Sequence, residues 1–282
     1  MHFVGKIEDS LFTPPASYDG HAEGFRRADL LNREQGSVHL GFSIGVLQPG
    51  GRIDPCIHAF EKGVFITDGE IELNRDGKAY FLKQHDYALL PTGTAHAWRN
   101  RGEKSARWVE MCAPQPKLPG QWQDSFFTPQ LEWAEEVILP DPKNPTCHLL
   151  GHFDESQLPP PADMSQDLCG FSKRMMMDKG FGSQHFHMFI IQFADGGQTT
   201  LHDHAFEEAY LMLQGEVGFV AEGKEYVLRP GDLAWTGVGS AYGFFANRGM
   251  AARMLEVQAP QPPAQNSVRR YAAWDDLRAT LK

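Results

Sequence analysis

No run of about 18 consecutive apolar residues, the least a membrane-crossing helix needs, occurs in the 282-residue chain. A membrane partner is therefore not expected. Cysteine is scarce too: Cys56, Cys112, Cys147 and Cys169 are scattered and form no Cys-x-x-Cys pair. The opening residues Met1-His2-Phe3-Val4-Gly5-Lys6 show no basic segment leading into an apolar one, so no export signal is expected. These features read as reduced thiols in a cytoplasmic protein. Positive charge is also short. Lys and Arg number 26 against 36 Asp and Glu, a net charge of −10, whereas binding nucleic acid takes clustered cations to neutralise phosphates. Hydrophobic content of 41% is enough for one large domain or two smaller ones, each with its own core.

Self-similarity decides for two. Offsetting the chain by 146 residues aligns 5–116 with 151–262 without a gap, with about 34 identities. His58-Ala59-Phe60-Glu61 falls on His204-Ala205-Phe206-Glu207, and Gly69-Glu70 on Gly215-Glu216. Ala113-Pro114-Gln115-Pro116 recurs as Ala259-Pro260-Gln261-Pro262. The chain divides into a first domain over 1–117, a linker over 118–146, a second domain over 147–262 and a tail over 263–282.

Each copy has the pattern of short strands separated by turns. In the second, Met188–Phe193 is an apolar strand closed by Ala194-Asp195-Gly196-Gly197. Thr199–Leu213 follows, then Val217–Ala221 and Lys224–Leu228 flank Glu222-Gly223, a hairpin signal. Strands over Leu233–Thr236, Tyr242–Ala246 and Ala252–Val257 complete the copy. Strands at roughly ten-residue spacing predict an all-β sandwich or barrel in each copy. The linker carries Trp122, Phe126, Phe127 and Trp133, which suit either a contact between chains or packing onto the linker's own domains. A short helix is expected over Tyr271–Leu281.

The chemistry-bearing stretch is His202-Asp203-His204-Ala205-Phe206-Glu207-Glu208. Side chains alternate along a strand, so His202, His204, Phe206, Glu208 and Tyr210 share a face, with Met212 next in step. Two imidazoles and a carboxylate on one face suit a divalent ion, Fe(II) or Mn(II) above all, with zinc or nickel as alternatives. Steps of two from Tyr242 add Phe244. Tyr210, Met212 and Phe244, with His187, are expected to contact a small-molecule substrate in an aromatic pocket. His185 is a candidate additional ligand. Glu207 has the opposite parity and is expected to be exposed or at an interface.

The spacing His-x-His-x3-Glu-x6-Gly, from His202 to Gly215, resembles the first motif of the cupin superfamily. Pro91-Thr92-Gly93-Thr94-Ala95-His96 with Asn100 resembles its second. The whole chain is similar to a bicupin, two tandem double-stranded β-helix (jelly-roll) barrels, with a layout like that of ureidoglycine aminohydrolases. The resemblance implies a homodimer and a metal held by motif residues. The motifs are unevenly kept. In the first copy His58 and His96 remain, but Cys56 and Lys62 stand where the second has His202 and Glu208. That set reads either as a degenerate site that only packs or as a Cys-His2 zinc site with Lys62 turned away. In the second copy Tyr242 fills the slot of His96 and is expected to donate a hydrogen bond in catalysis, since a phenol with a pKa near 10 is a poor ligand for a divalent ion. The expected function is a mononuclear Fe(II) or Mn(II) dioxygenase acting on a small metabolite. The alternatives are a manganese-dependent hydrolase or isomerase of the ureidoglycine aminohydrolase type, and a non-catalytic binding protein.

Overall fold

The computed structural model describes residues 1–118, 123–141, 143–246, 251–263 and 268–270. The expected helix over Tyr271–Leu281, and Trp122, lie outside the described residues. The strands of these described residues form two eleven-stranded sheets, almost wholly antiparallel, each curling around one apolar interior. The fold is two tandem all-β barrels, with no helix among the described residues long and apolar enough to cross a membrane.

Turn chemistry sets the hairpins. Glu222 and Gly223 both take positive φ, 48° and 77°, the conformation a two-residue turn needs to join Val217–Ala221 to Lys224–Leu228. Asp76-Gly77 does the same between Glu70–Arg75 and Lys78–Lys83, with φ 54° and 77°. The expected Thr199–Leu213 strand divides into His202–His204 and Glu207–Gln214, with a bend at Ala205-Phe206.

The two barrels trade strands. His2–Lys6, from the first copy, pairs with Asp232–Thr236 of the second barrel, Gly5 opposite Leu233. Leu150–His152, from the second copy, pairs with Asp86–Leu90 of the first, Gly151 opposite Tyr87. These registers are related by the same offset of 146 residues, so the exchange follows the duplication's pseudo-twofold symmetry.

A shared core lies between the barrels. Along Glu207–Gln214, Tyr210 and Met212 join the interior of the second barrel, whereas Ala209 and Leu211 join a cluster that includes Phe65, Leu89 and Met111 of the first. Burial on both faces explains why such strands read as continuous apolar runs. Two buried carboxylates fasten the same interface. Glu207 accepts from Ser37 Oγ (2.6 Å) and from the backbone N–H groups of Val38 (2.8 Å), His39 (3.2 Å) and Leu40 (3.2 Å). Glu61, its repeat counterpart, accepts from Ser183 Oγ and from the N–H groups of Gln184 (2.9 Å) and His185 (3.3 Å). Glu207 is thus an interface residue, as its parity suggested.

The linker packs on its own chain. Ser125–Phe127 pairs with the end of Gly41–His58, Phe127 stacks on His21 at 3.7 Å, and Arg99 lies over Trp133 at 3.8 Å.

Candidate metal centres

The second barrel opens into a cavity of about 330 Å³. His202–His204 and Tyr242–Ala246 are neighbouring strands with His202 opposite Tyr242. Glu208 arrives on Glu207–Gln214, and the alternation survives the bend. His202, His204, Glu208, Tyr210, Tyr242 and Phe244 therefore all line this cavity, and His187 lies on its wall. Met212 packs in the barrel interior and is not in the cavity lining, and His185 sits at the barrel interface with its N–H on Glu61.

Hydrogen bonds fix most of these groups. His202 Nδ1 donates to the Thr200 carbonyl at 2.8 Å, leaving the Nε2 lone pair as its metal-binding position. Burial pushes the His202 pKa down to about 4, so the ring is neutral and ready to ligate. The His202 and His204 rings meet edge to face at 5.0 Å, and Phe206 stacks on His204 at 4.6 Å. His204 Nε2 lies 3.6 Å from Glu208 Oε1. The Tyr242 hydroxyl donates to Glu208 Oε2, and the Tyr210 hydroxyl is 2.6 Å from that of Tyr242. Burial, and then the charge of Glu208, hold both phenols well above their usual pKa. Tyr242 is accordingly a neutral donor.

Sequence reasoning missed Gln258 and Glu256. Gln258 Nε2 donates to Glu208 Oε1 (3.0 Å) and to Glu256 Oε1 (2.7 Å). Burial, reinforced by the Glu208 charge, raises the Glu256 pKa well above the carboxylate range, which keeps it protonated and able to donate. The signal was present: Glu256 is identical to Glu110 in the repeat, an acidic residue inside an apolar strand.

The first barrel brings its donors closer together. Among the described residues, Cys56, His58 and His96 form the one group of at least three Cys, His, Asp or Glu side chains whose donor atoms all lie within 4.8 Å of one another. Cys56 Sγ is 3.8 Å from His58 Nε2 and 3.7 Å from His96 Nε2. Burial, with Lys62 adding to it, pushes the pKa of His58 well below its usual value and that of His96 to about 4, and burial raises the Cys56 thiol to about 11. Lys62 turns to Glu110, at 3.5 Å. Burial opposes charge on both, but their mutual attraction raises the Lys62 pKa and lowers that of Glu110. Trp108 Nε1 also donates to Glu110, at 2.9 Å.

A divalent ion fits the second-barrel set: two imidazoles and a carboxylate reach a walled cavity, with the carboxylate held by neutral donors.

The Cupin domain family matches this chain twice, over residues 43–112 and 189–258. The chain belongs to the cupins and carries two tandem copies of their domain. Among curated proteins, it is 30% identical over 79 residues to polyketide synthase CurC of Streptomyces cyaneus. That match covers 27% of this chain and 51% of CurC, so the chain spans about half the length of that relative. It is 36% identical over 64 residues to quercetin 2,3-dioxygenase of Bacillus subtilis, covering 21% of this chain and 19% of that one. Among solved structures, salicylate 1,2-dioxygenase from Pseudaminobacter salicylatoxidans has a TM-score of 0.63 at 14% identity, over 83% of this chain and 76% of that one. Lactobacillus farciminis oxalate decarboxylase has a TM-score of 0.64 at 15% identity, over 98% and 90% respectively. At these identities the structural likeness shows the fold alone.

Proposed function

We propose that this bicupin is a mononuclear metal enzyme, with His202, His204 and Glu208 of the second barrel holding Fe(II) or Mn(II), and that it is a dioxygenase of small oxygenated or aromatic metabolites. The carrying observation is that these three donors line one cavity with Tyr210, Tyr242 and Phe244. The local similarity to quercetin 2,3-dioxygenase supports the same reading.

The ion supplies activation of dioxygen and polarisation of an oxygen-bearing substrate. The chain's own groups do the rest. His202 is held in one tautomer by Thr200, and Glu208 is oriented by Tyr242 and Gln258. Glu256, held protonated by burial and the Glu208 charge, lines the same cavity and offers a hydrogen to an oxygen on the substrate. Phe189, Phe206 and Phe244 form apolar walls that exclude water, and Lys173 and Arg270 add cations to the lining, which suits an anionic aromatic substrate.

Oxygen uptake by iron- or manganese-loaded protein, measured against hydroxylated aromatic acids and flavonols, tests the reading. Substrate-dependent uptake that disappears in Glu208→Ala is expected. Substrate turnover without oxygen consumption would contradict the dioxygenase assignment.

A further inference from the structure

We propose that the first barrel holds its own metal ion, a thiophilic one of the zinc class, on Cys56, His58 and His96. The inference does not depend on the activity assigned to the second barrel.

Donor geometry carries the argument. A tetrahedral zinc ion with Zn–S of about 2.3 Å and Zn–N of about 2.0–2.1 Å sets sulfur and nitrogen about 3.5–3.6 Å apart. Cys56 Sγ lies 3.8 Å from His58 Nε2 and 3.7 Å from His96 Nε2. Both sulfur–nitrogen sides of the triangle are therefore within a few tenths of an ångström of the coordination shape, and all three donor atoms lie within 4.8 Å of one another. Both imidazoles are also held from behind. His96 Nδ1 faces the Thr94 carbonyl at 3.0 Å, so it carries the proton and Nε2 presents its lone pair to the sulfur. His58 Nδ1 is engaged by Ser125 Oγ at 2.8 Å, and Phe60 stacks on its ring at 4.7 Å. Support of this kind orients a ligand before the ion arrives. One S–H group hydrogen-bonds to only one of the two nitrogens at a time, whereas one ion satisfies all three atoms.

Charge points the same way. The second barrel combines two imidazoles with the anion Glu208. In the first, Lys62 occupies that position and is neutralised by Glu110 at 3.5 Å. On coordination the anion reappears at residue 56, as a thiolate. Each barrel thus offers two imidazoles and one negative donor, but a soft sulfur replaces a hard oxygen. Sulfur favours zinc over the Mn(II) that suits a carboxylate. Coordination replaces the S–H bond with an S–metal bond and releases one proton to solvent.

Cobalt(II) titration of the full chain after metal removal is the test, because a cobalt–thiolate bond absorbs in the near ultraviolet whether or not the enzyme is active. The charge-transfer band is expected to reach the intensity of a single cobalt–thiolate bond, saturating by two equivalents because the second barrel also takes cobalt, and to be displaced by zinc. It should vanish in Cys56→Ser, weaken at least tenfold in apparent affinity in His96→Gln, and persist in Glu208→Ala. No such band in the wild-type protein, or an undiminished band in Cys56→Ser, would overturn the proposal. Should Cys56→Ser fail to fold, His96→Gln decides, since an unchanged affinity there overturns it as well.

Discussion

At the scale of single residues, Glu208 governs the second barrel and Lys62 the first. Glu208 is held by Tyr242 and Gln258, and groups that orient a ligand typically contribute about 10–100-fold to metal affinity or activity. Tyr242→Phe should therefore retain metal by elemental analysis while turnover falls by about that factor. Full loss of metal would instead make Tyr242 a ligand. In the first barrel, Lys62→Met strands the buried Glu110 charge. Breaking one side of a buried pair costs about 3–5 kcal/mol, and Lys62→Met/Glu110→Met should recover most of that in denaturant titrations. The pH dependence follows. The Glu110 pKa is depressed in the fold, chiefly by Lys62 acting against burial. Its contribution is thus present above the unfolded value of about 4.3 and is lost as pH falls toward the folded value. Wild-type stability should fall through that acid window more steeply than that of the double variant, and equal slopes would count against the pair. Counting by twos was enough to gather His202, His204, Glu208 and Tyr210 into one cavity, because alternation persists across the bend at Ala205-Phe206. It failed for His185, which lies in a bend before the strand His187–Thr199 with its N–H on Glu61, and for Met212, which shares the interior face but packs in the core beyond the cavity lining.

At the scale of elements, the exchanged strands and the paired carboxylates join the barrels. Without residues 1–7, the strand Asp232–Thr236 loses its partner His2–Lys6. Hydrogen exchange should then accelerate at Trp235 and Thr236 more than at matched positions of the first barrel, and uniform protection would refute the role. Glu207→Ala removes the acceptor of four donors. Buried donors left without partners cost roughly 1–3 kcal/mol each when water cannot reach them, so the thermal midpoint should drop by several degrees, with both barrels affected. The duplication showed that residues 2–6 and 148–152 are equivalent segments. It carries no information about which copy each segment pairs with, since either barrel presents the same edge. That choice depends on three-dimensional proximity across the pseudo-twofold axis.

At the scale of the whole molecule, duplication gave two barrels room to diverge in their donors. Strand spacing, turn glycines and the repeat made the tandem architecture legible, because each imposes a local constraint that sequence records directly. The convergence of Cys56, His58 and His96 was less legible. It depends on Lys62 choosing Glu110, a partner 48 positions away that no spacing rule identifies. The most direct measurement is the iron and manganese content per chain of the wild-type protein and of Glu208→Ala, both reconstituted and then freed of excess metal. The account predicts one equivalent in the wild type and about a tenth of that or less in the variant. Equal iron or manganese in the two proteins would contradict the second-barrel metal centre.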